Sequence, residues 1–124
     1  MKASWGERSG LVTSRDELEA VQREIDASGQ PTMVFLTARD GRCLVVGLGA
    51  AESVLTYVDA DARSFHSLGA IGHKGHLVFL NRDQLDEFMA EMAIPTTVAF
   101  DAAVEFLETG ERPSSVRWEA DWGE

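Results

Sequence analysis

The sequence predicts an α+β fold, a single domain in which a mainly antiparallel sheet of about five or six strands carries two helices on one face. Two segments, one near each end of the chain, repeat apolar residues at helical spacing, and the residues between them form short β-rich runs separated by turn residues. A chain of 124 residues with 44% hydrophobic residues can bury one hydrophobic core. We therefore expect one domain over residues 1–124, of which residues 1–13 could be a flexible N-terminus.

The first helix is expected from about Arg15 to Ala27. Ser14 and Glu17 have the S-x-x-E spacing of a capping box, in which the serine hydroxyl accepts a hydrogen bond from a free backbone N–H of the first turn. Gly29 and Pro31 should end this helix, because glycine readily adopts the left-handed conformation and proline cannot continue a helix. Three apolar residues spaced three and four apart form its buried stripe: Leu18, Val21 and Ile25.

The middle of the chain is predicted to form strands. The runs 32–38 and 43–48 are rich in β-forming residues and flank Asp40-Gly41, which is the pattern of a β-hairpin. Further strands are expected over three more segments, residues 53–59, 63–68 and 76–80.

The segment 83–92 fits two structures. Its apolar residues have helical spacing, and Asn81 could cap a helix there. A turn at 81–84 that joins two antiparallel strands also fits, so both interpretations stay open at this point. The apolar residues concerned are Leu85, Phe88, Met89 and Met92.

A second helix is expected from Val98 to Thr109, capped by Thr96 or Thr97, and a last short strand from Ser115 to Trp118. Its buried face should consist of four apolar residues: Phe100, Ala103, Val104 and Leu107. Its opposite face should present a stripe of three carboxylates: Asp101, Glu105 and Glu108. Like charges at this spacing mildly destabilise a helix, by about 0.2–0.5 kcal/mol per pair, which hints that the stripe serves a purpose other than folding.

The acidic charge is concentrated in the last third of the chain. The net charge is −10; the first 82 residues carry 10 acidic and 9 basic side chains, whereas residues 83–124 carry 11 acidic side chains and two arginines, Arg112 and Arg117. Such a field repels nucleic acid and anionic membranes and steers a basic partner towards the C-terminal third. A soluble acidic protein without such a partner could show the same net charge.

The motifs of common enzymes and metal sites are absent from the sequence. His73 and His76 have H-x-x-H spacing, but a zincin needs a glutamate between two histidines four apart, and glycines around this pair suggest a loop. Neither a deaminase signature nor a nucleophile elbow occurs. Gly47 and Gly49 lack a third glycine at the dinucleotide spacing, and the single Cys43, in an apolar run, should be a buried, inert thiol. We therefore expect no enzymatic activity, no cofactor and no metal.

No targeting or membrane signal is evident. The N-terminal residues contain no apolar signal region, and no run approaches the roughly 18–20 apolar residues of a membrane-spanning helix. We expect a cytoplasmic protein that binds neither nucleic acid nor a membrane.

Two groups of short motifs resemble one known family. They are Gly47-Leu48-Gly49 with residues 53–59 in the first half, and Glu105-Phe106-Leu107, Thr109-Gly110, Arg112-Pro113 and Val116-Arg117-Trp118-Glu119 in the second. Together with Ile94-Pro95 they span about Leu36 to Glu119 and resemble the first-numbered immunity-protein family of bacterial polymorphic toxin systems. The resemblance also favours a strand for Leu85 to Met89, because relatives tend to have an E-F-P-like segment where this chain has Glu87-Phe88-Met89.

The resemblance implies a non-enzymatic antitoxin that binds the C-terminal domain of a cognate toxin. Members of the family are often encoded beside toxins with a nucleic-acid deaminase fold, and a nucleic-acid-attacking toxin usually has a basic substrate groove. An acidic inhibitor could occlude such a groove by pairing with its Lys and Arg. The candidate toxin-binding residues are Asp101, Glu105, Glu108, Glu111, Asp121 and Trp122, with Asp59 and Asp61 in reserve.

Two other functions remain open at the level of sequence. One is an acidic scaffold or regulatory domain that binds another basic protein. The other is a small-molecule or enzymatic site, which would need a deep polar pocket holding His66 or His76 beside a perturbed carboxylate. Tyr57 and Trp118 are expected in the core, whereas Trp122 is expected at the surface.

Overall fold

The computed structural model describes residues 1–69 and 76–121 of the chain and confirms the α+β fold. Within this part, nine strands form one mostly antiparallel sheet and two further strands form a small ribbon. The helices are α1 (Arg15–Ser28) and α2 (Thr96–Thr109), with a 3₁₀ helix at Ala90–Met92. The strands are β1 (Lys2–Trp5), β2 (Arg8–Leu11), β3 (Thr32–Thr37), β4 (Cys43–Leu48), β5 (Glu52–Ser53), β6 (Leu55–Val58), β7 (Ser64–Leu68), β8 (His76–Asn81), β9 (Gln84–Met89), β10 (Ile94–Pro95) and β11 (Arg117–Ala120).

The sheet has more strands than the five or six expected from the sequence. The order is β11-β7-β6-β4-β3-β1-β2, and β8 joins β3 through one parallel pair while β9 pairs with β8 alone. The pattern predicts no strand in residues 1–13, but β1 and β2 form a hairpin there. Only Ala3 of this hairpin is buried, so it lacks the β-rich apolar run by which a strand is recognised in a sequence.

Helix α1 forms as its sequence predicts. The Ser14 hydroxyl accepts a hydrogen bond from the Glu17 N–H at 3.2 Å, and Gly29 ends the helix in the left-handed conformation with φ of 73°. The Glu17 carboxylate reaches back to Thr13, whose backbone N–H and hydroxyl donate to it at 2.8 and 2.6 Å. The three predicted apolar residues of this helix are all buried: Leu18, Val21 and Ile25.

Helix α2 begins two residues earlier than predicted, and the prediction that Thr96 or Thr97 caps it is wrong. The helix starts at Thr96, preceded by Pro95, and no side chain caps its first turn. The Thr96 hydroxyl instead donates to the Ala50 carbonyl at 2.6 Å, which ties the start of the helix to the loop after β4. The buried face is also broader than predicted, because it adds Ala99, Ala102 and Phe106 to the expected residues, while Leu107 is only half-buried.

The two helices pack on one face of the sheet, as predicted. Their apolar residues form the main core cluster with alternate side chains of β3, β4 and β6, among them Val34, Val46 and Leu55. The described part contains no helix long and apolar enough to cross a membrane.

The hairpin of β8 and β9, which agrees with the predicted turn at 81–84 between two antiparallel strands, covers the other face of the sheet. Its position on that face was not predicted. Phe79 of β8 is 1% exposed and forms a second core cluster with Met33, Val45 and Val54. A Cβ atom at Gly47 would lie only 2.7 Å from the Phe79 ring, so the missing side chain lets the hairpin approach the sheet.

The segment 83–92 is a strand followed by a 3₁₀ turn, in agreement with the strand interpretation. Its helical spacing is misleading, because Phe88 and Met92 pack against the second cluster while Leu85 and Met89 are 61% and 55% exposed. Elsewhere, the strand expected at 53–59 is divided into β5 and β6, and the last strand lies two residues beyond its predicted place.

Candidate protein-binding surfaces

The acidic stripe of α2 does not present three equivalent free carboxylates. Asp101 is exposed and forms an ion pair with Arg15 of α1, with Oδ1 2.9 Å from the guanidinium. Glu105 accepts hydrogen bonds from the N–H and the hydroxyl of Ser114 at 2.8 and 2.9 Å. The Glu108 side chain is exposed and has no hydrogen bond or ion pair with the described residues. Of the stripe, Glu108 is thus the carboxylate that is most available to a partner.

Glu105 has a structural role that the sequence did not reveal. The backbone N–H of Ser114 is the foremost of the hydrogen-bond donors that hold the pKa of Glu105 below its usual value. These bonds fix the segment that follows α2 after Gly110, whose φ is 69°. A substitution at Glu105 therefore changes the fold as well as the surface charge, and cannot report on binding alone.

Four other candidate residues lie together at one end of the sheet. The register pairs Cys43 with Val58, so the β3–β4 and β6–β7 turns are adjacent, and the Asp121 N–H donates to the Ser64 carbonyl at the same end. Glu111 reaches this end from the segment after α2 by pairing with Arg42 at 3.1 Å. We call this region the sheet end; its predicted site residues are Asp59, Asp61, Glu111 and Asp121.

The carboxylates of the sheet end are held by arginines and by backbone groups. Arg42 bridges Asp40 at 2.7 Å and Glu111, and these hydrogen bonds raise the pKa of its guanidinium. The Asp59 carboxylate accepts from the N–H groups of Asp61 and Arg63, both at 2.9 Å, and these bonds help to lower its pKa. Asp59 thus shapes the turn, as expected for a residue at a strand end, and Asp61 is exposed in that turn.

Asp121 and His66 form a side-chain network at the edge of the sheet end. The Asp121 carboxylate accepts from the Ser64 hydroxyl at 2.7 Å and contacts His66 Nδ1, while Glu119 lies 3.4 Å from His66 Nε2. Cross-strand pairing of β11 with β7 brings these groups together. The network fastens the last strand to the sheet.

Two of the aromatic residues singled out in the sequence, Tyr57 and Trp118, pack together at the main core cluster. Tyr57 is 5% exposed, which confirms its place in the core, and Trp118 is half-buried against Tyr57, with ring centroids 6.3 Å apart. The Trp118 indole N–H donates to the Pro113 carbonyl at 2.8 Å, so its polar edge is satisfied within the chain. Trp122 lies outside the described residues.

Sequence reasoning missed an apolar surface on the β8–β9 hairpin. Side chains alternate along both strands, so Phe79 and Phe88 face the sheet while Val78, Leu85 and Met89 face outwards with exposures of 41%, 61% and 55%. We call this outward side the hairpin face. The alternation could have identified it, but the helical spacing of the same residues obscured the signal.

No group of three or more potential metal ligands occurs in residues 1–69 and 76–121. His73 and the side chain of His76 lie outside the described structure. A cleft of about 610 Å³ between α1 and α2 is lined by Arg15, Arg23 and Asp101 but not by His66. Burial raises the pKa of the Cys43 thiol, which disfavours the reactive thiolate.

Comparison with known proteins gives one informative match. The sequence model of the family described as Immunity protein Imm1 matches residues 6–120, nearly the whole chain. The match begins in the β1–β2 hairpin and ends with β11, so it covers both helices and all strands of the sheet except the first. No curated protein matches the chain.

Proposed function

Since this chain belongs to the Imm1 family of immunity proteins, we propose that it binds the C-terminal domain of a cognate toxin and neutralises it without catalysis. The match over residues 6–120 is the observation that carries this proposal. Neutralisation of this kind works by stoichiometric binding, so it depends on the surface of the protein rather than on a pocket. The expected place of action is the cytoplasm of the cell that makes the toxin.

The charge of the protein supports a basic partner. The net charge is −10, and residues 83–124 carry 11 of the 21 acidic side chains with only two arginines. A toxin that attacks nucleic acid, such as a deaminase, needs a cationic groove to hold the phosphate backbone. An acidic protein that covers this groove would compete with the substrate and associate rapidly through long-range attraction.

The exposed carboxylates are proposed to steer this association. Asp101 and Glu111 are paired with arginines at the surface, but exposed ion pairs contribute only about 0–1 kcal/mol, so a partner's cations can replace them. Glu108, Asp61 and Asp121 add negative potential on the same molecule. Glu105 and Asp59 contribute charge too, although their oxygens also hold turns.

Calorimetry with the toxin domain encoded next to this protein's gene tests the proposal. The toxin domain should carry an inactivating substitution, and the titration should be repeated across a series of salt concentrations. We expect nanomolar affinity that weakens as salt rises, because salt screens the steering charges. An unrelated acidic domain of similar net charge serves as the control and should not bind tightly. Absence of binding by the cognate domain would contradict the proposal and favour a scaffold for some other basic protein.

A further inference from the structure

We propose that the hairpin face, Val78, Leu85 and Met89, is the apolar anchor on which the cationic surface of the toxin domain docks, an inference that rests on the proposed function. The described part contains five exposed large apolar side chains, and three of them are on this one face. The other two, Leu11 and Val98, lie on β2 and α2. A concentration of this kind on one small element is typical of an interaction surface rather than of chance exposure.

The charge around the hairpin face specifies the chemistry of the partner. Residues 83–91 contain four acidic side chains and no basic one. Asp83 in the turn and Glu91 after the strand are exposed and have no side-chain partner among the described residues, unlike Asp101 and Glu111. Glu87 also faces outwards, opposite Val78. Apolar side chains interspersed with and flanked by carboxylates fit a partner that presents apolar side chains among Lys and Arg.

The basic residue in the hairpin turn contacts the core side of the hairpin. Arg82 lies in the turn of the hairpin, but its guanidinium stacks over the Phe35 ring, 5.5 Å from the centroid, at the second core cluster. The cation thereby helps to hold the hairpin against the sheet. Asp83 and Glu91, which are both exposed, add negative charge beside the hairpin face.

The hairpin face is held rigidly enough to act as a binding surface. Phe79 and Phe88 make an edge-to-face contact with centroids 6.1 Å apart beneath it, and Phe79 sits against Gly47 of β4. The turn is fixed by the Asn81 amide, which donates to Asp86 at 2.7 Å. Because the exposed side chains stand on an element fixed by its own buried face, little conformational entropy is lost when a partner docks.

The hairpin face and the α2 stripe lie on opposite sides of the molecule, since α2 packs on one face of the sheet and the hairpin covers the other. The two surfaces therefore make different contributions. The carboxylates of α2 act at long range on the rate of association, whereas the hairpin face makes the close contact that governs dissociation.

The test compares two variants of the full chain for binding to the inactivated toxin domain. The first replaces all three anchors (Val78→Thr, Leu85→Thr and Met89→Thr), because threonine keeps a high β propensity while it removes most of the apolar contact. The second is the matched control Leu11→Thr, which changes a side chain that is 74% exposed on another strand. Circular dichroism should show the same fold for both.

We expect the triple variant to bind about 100-fold more weakly, mainly through faster dissociation, and the control to bind within about three-fold of the unchanged protein. Removal of the flanking charges by Asp83→Asn with Glu91→Gln should slow association and reduce its salt dependence. If the unchanged protein binds tightly and the triple variant binds equally well, the role of the hairpin face as an anchor is overturned, whereas the proposed function is not. Absence of binding by the unchanged protein would overturn the proposed function and this inference together.

Discussion

Replacement of Gly47 by alanine should destabilise the protein by displacing the β8–β9 hairpin. A Cβ atom at Gly47 would lie 2.7, 2.8 and 3.0 Å from three atoms of the Phe79 ring, the nearest about 0.7 Å inside the 3.4 Å at which ordinary contact begins. The ring is 1% exposed and enclosed by Met33, Val45 and Val54, so it cannot move into solvent without opening the second core cluster.

The expected cost follows from overpacking a closed cluster. Insertion of one methyl group into a well-packed core costs about 1–3 kcal/mol. For a domain of this size that loss should lower Tm by roughly 4–12 °C. Urea unfolding followed by circular dichroism measures the free energy directly, and the slope of the transition should stay unchanged. The control is Gly10→Ala on β2, where an added Cβ would meet nothing within 4 Å and should cost almost nothing.

A second substitution tests the cause of that loss. Phe79→Leu removes the ring atoms nearest to Gly47, so its own cost should be smaller when alanine already occupies position 47 than in the unchanged protein. A coupling of about 0.5–3 kcal/mol between the two positions is expected. Gly47→Ala with unchanged stability, or two strictly additive substitutions, would refute the claim that the missing side chain positions the hairpin.

Three further substitutions test the local structure and the charge. Glu105→Gln should lower stability at neutral pH by weakening the bonds from Ser114. The pKa of Glu105 in the folded protein is lowered from 4.5, so its charged form stabilises the fold. The variant should therefore show its full loss in free energy of unfolding above pH 4.5, and this loss should disappear as the pH falls through the folded pKa. A loss that is independent of pH would contradict this role. Ser14→Ala should cost about 1 kcal/mol in urea unfolding, through loss of the N-cap bond from the Glu17 N–H, whereas Ser14→Asp keeps a capping oxygen; an equal loss in both variants would argue against a specific cap. Glu108→Lys should leave Tm unchanged and slow toxin association roughly two- to five-fold in stopped-flow measurements, whereas an effect confined to dissociation would place it in the close contact.

Helices and strands of this fold could be predicted where residues close together in the sequence determine them. Ser14, Glu17 and Gly29 determine α1 because caps and a narrow apolar stripe act within a few residues. The Asp40-Gly41 pair likewise identifies the β3–β4 hairpin. The strands β1 and β2 could not be found in this way. Their mostly exposed side chains carry no alternation, and the pairing of β1 with β3 depends on residues more than 20 positions away.

The surfaces were less predictable than the elements. The charge of Glu105 and Asp101 is visible in the sequence, but their bonds to Ser114 and Arg15 arise from tertiary structure. The exposure of Leu85 and Met89 depends on which side of the sheet the hairpin covers, and a single glycine at position 47 permits that placement. Residues that contact distant parts of the chain therefore had roles that spacing alone could not reveal.

Survival of cells that produce the active toxin domain is the most direct test of the central claim. The domain should be expressed from one inducible promoter and this protein from another, with equal protein levels verified by immunoblot. The account predicts that the unchanged protein restores growth, that Leu11→Thr does so equally, and that the triple variant of Val78, Leu85 and Met89 does not. Cells that die at the same rate with and without the unchanged protein would contradict the account.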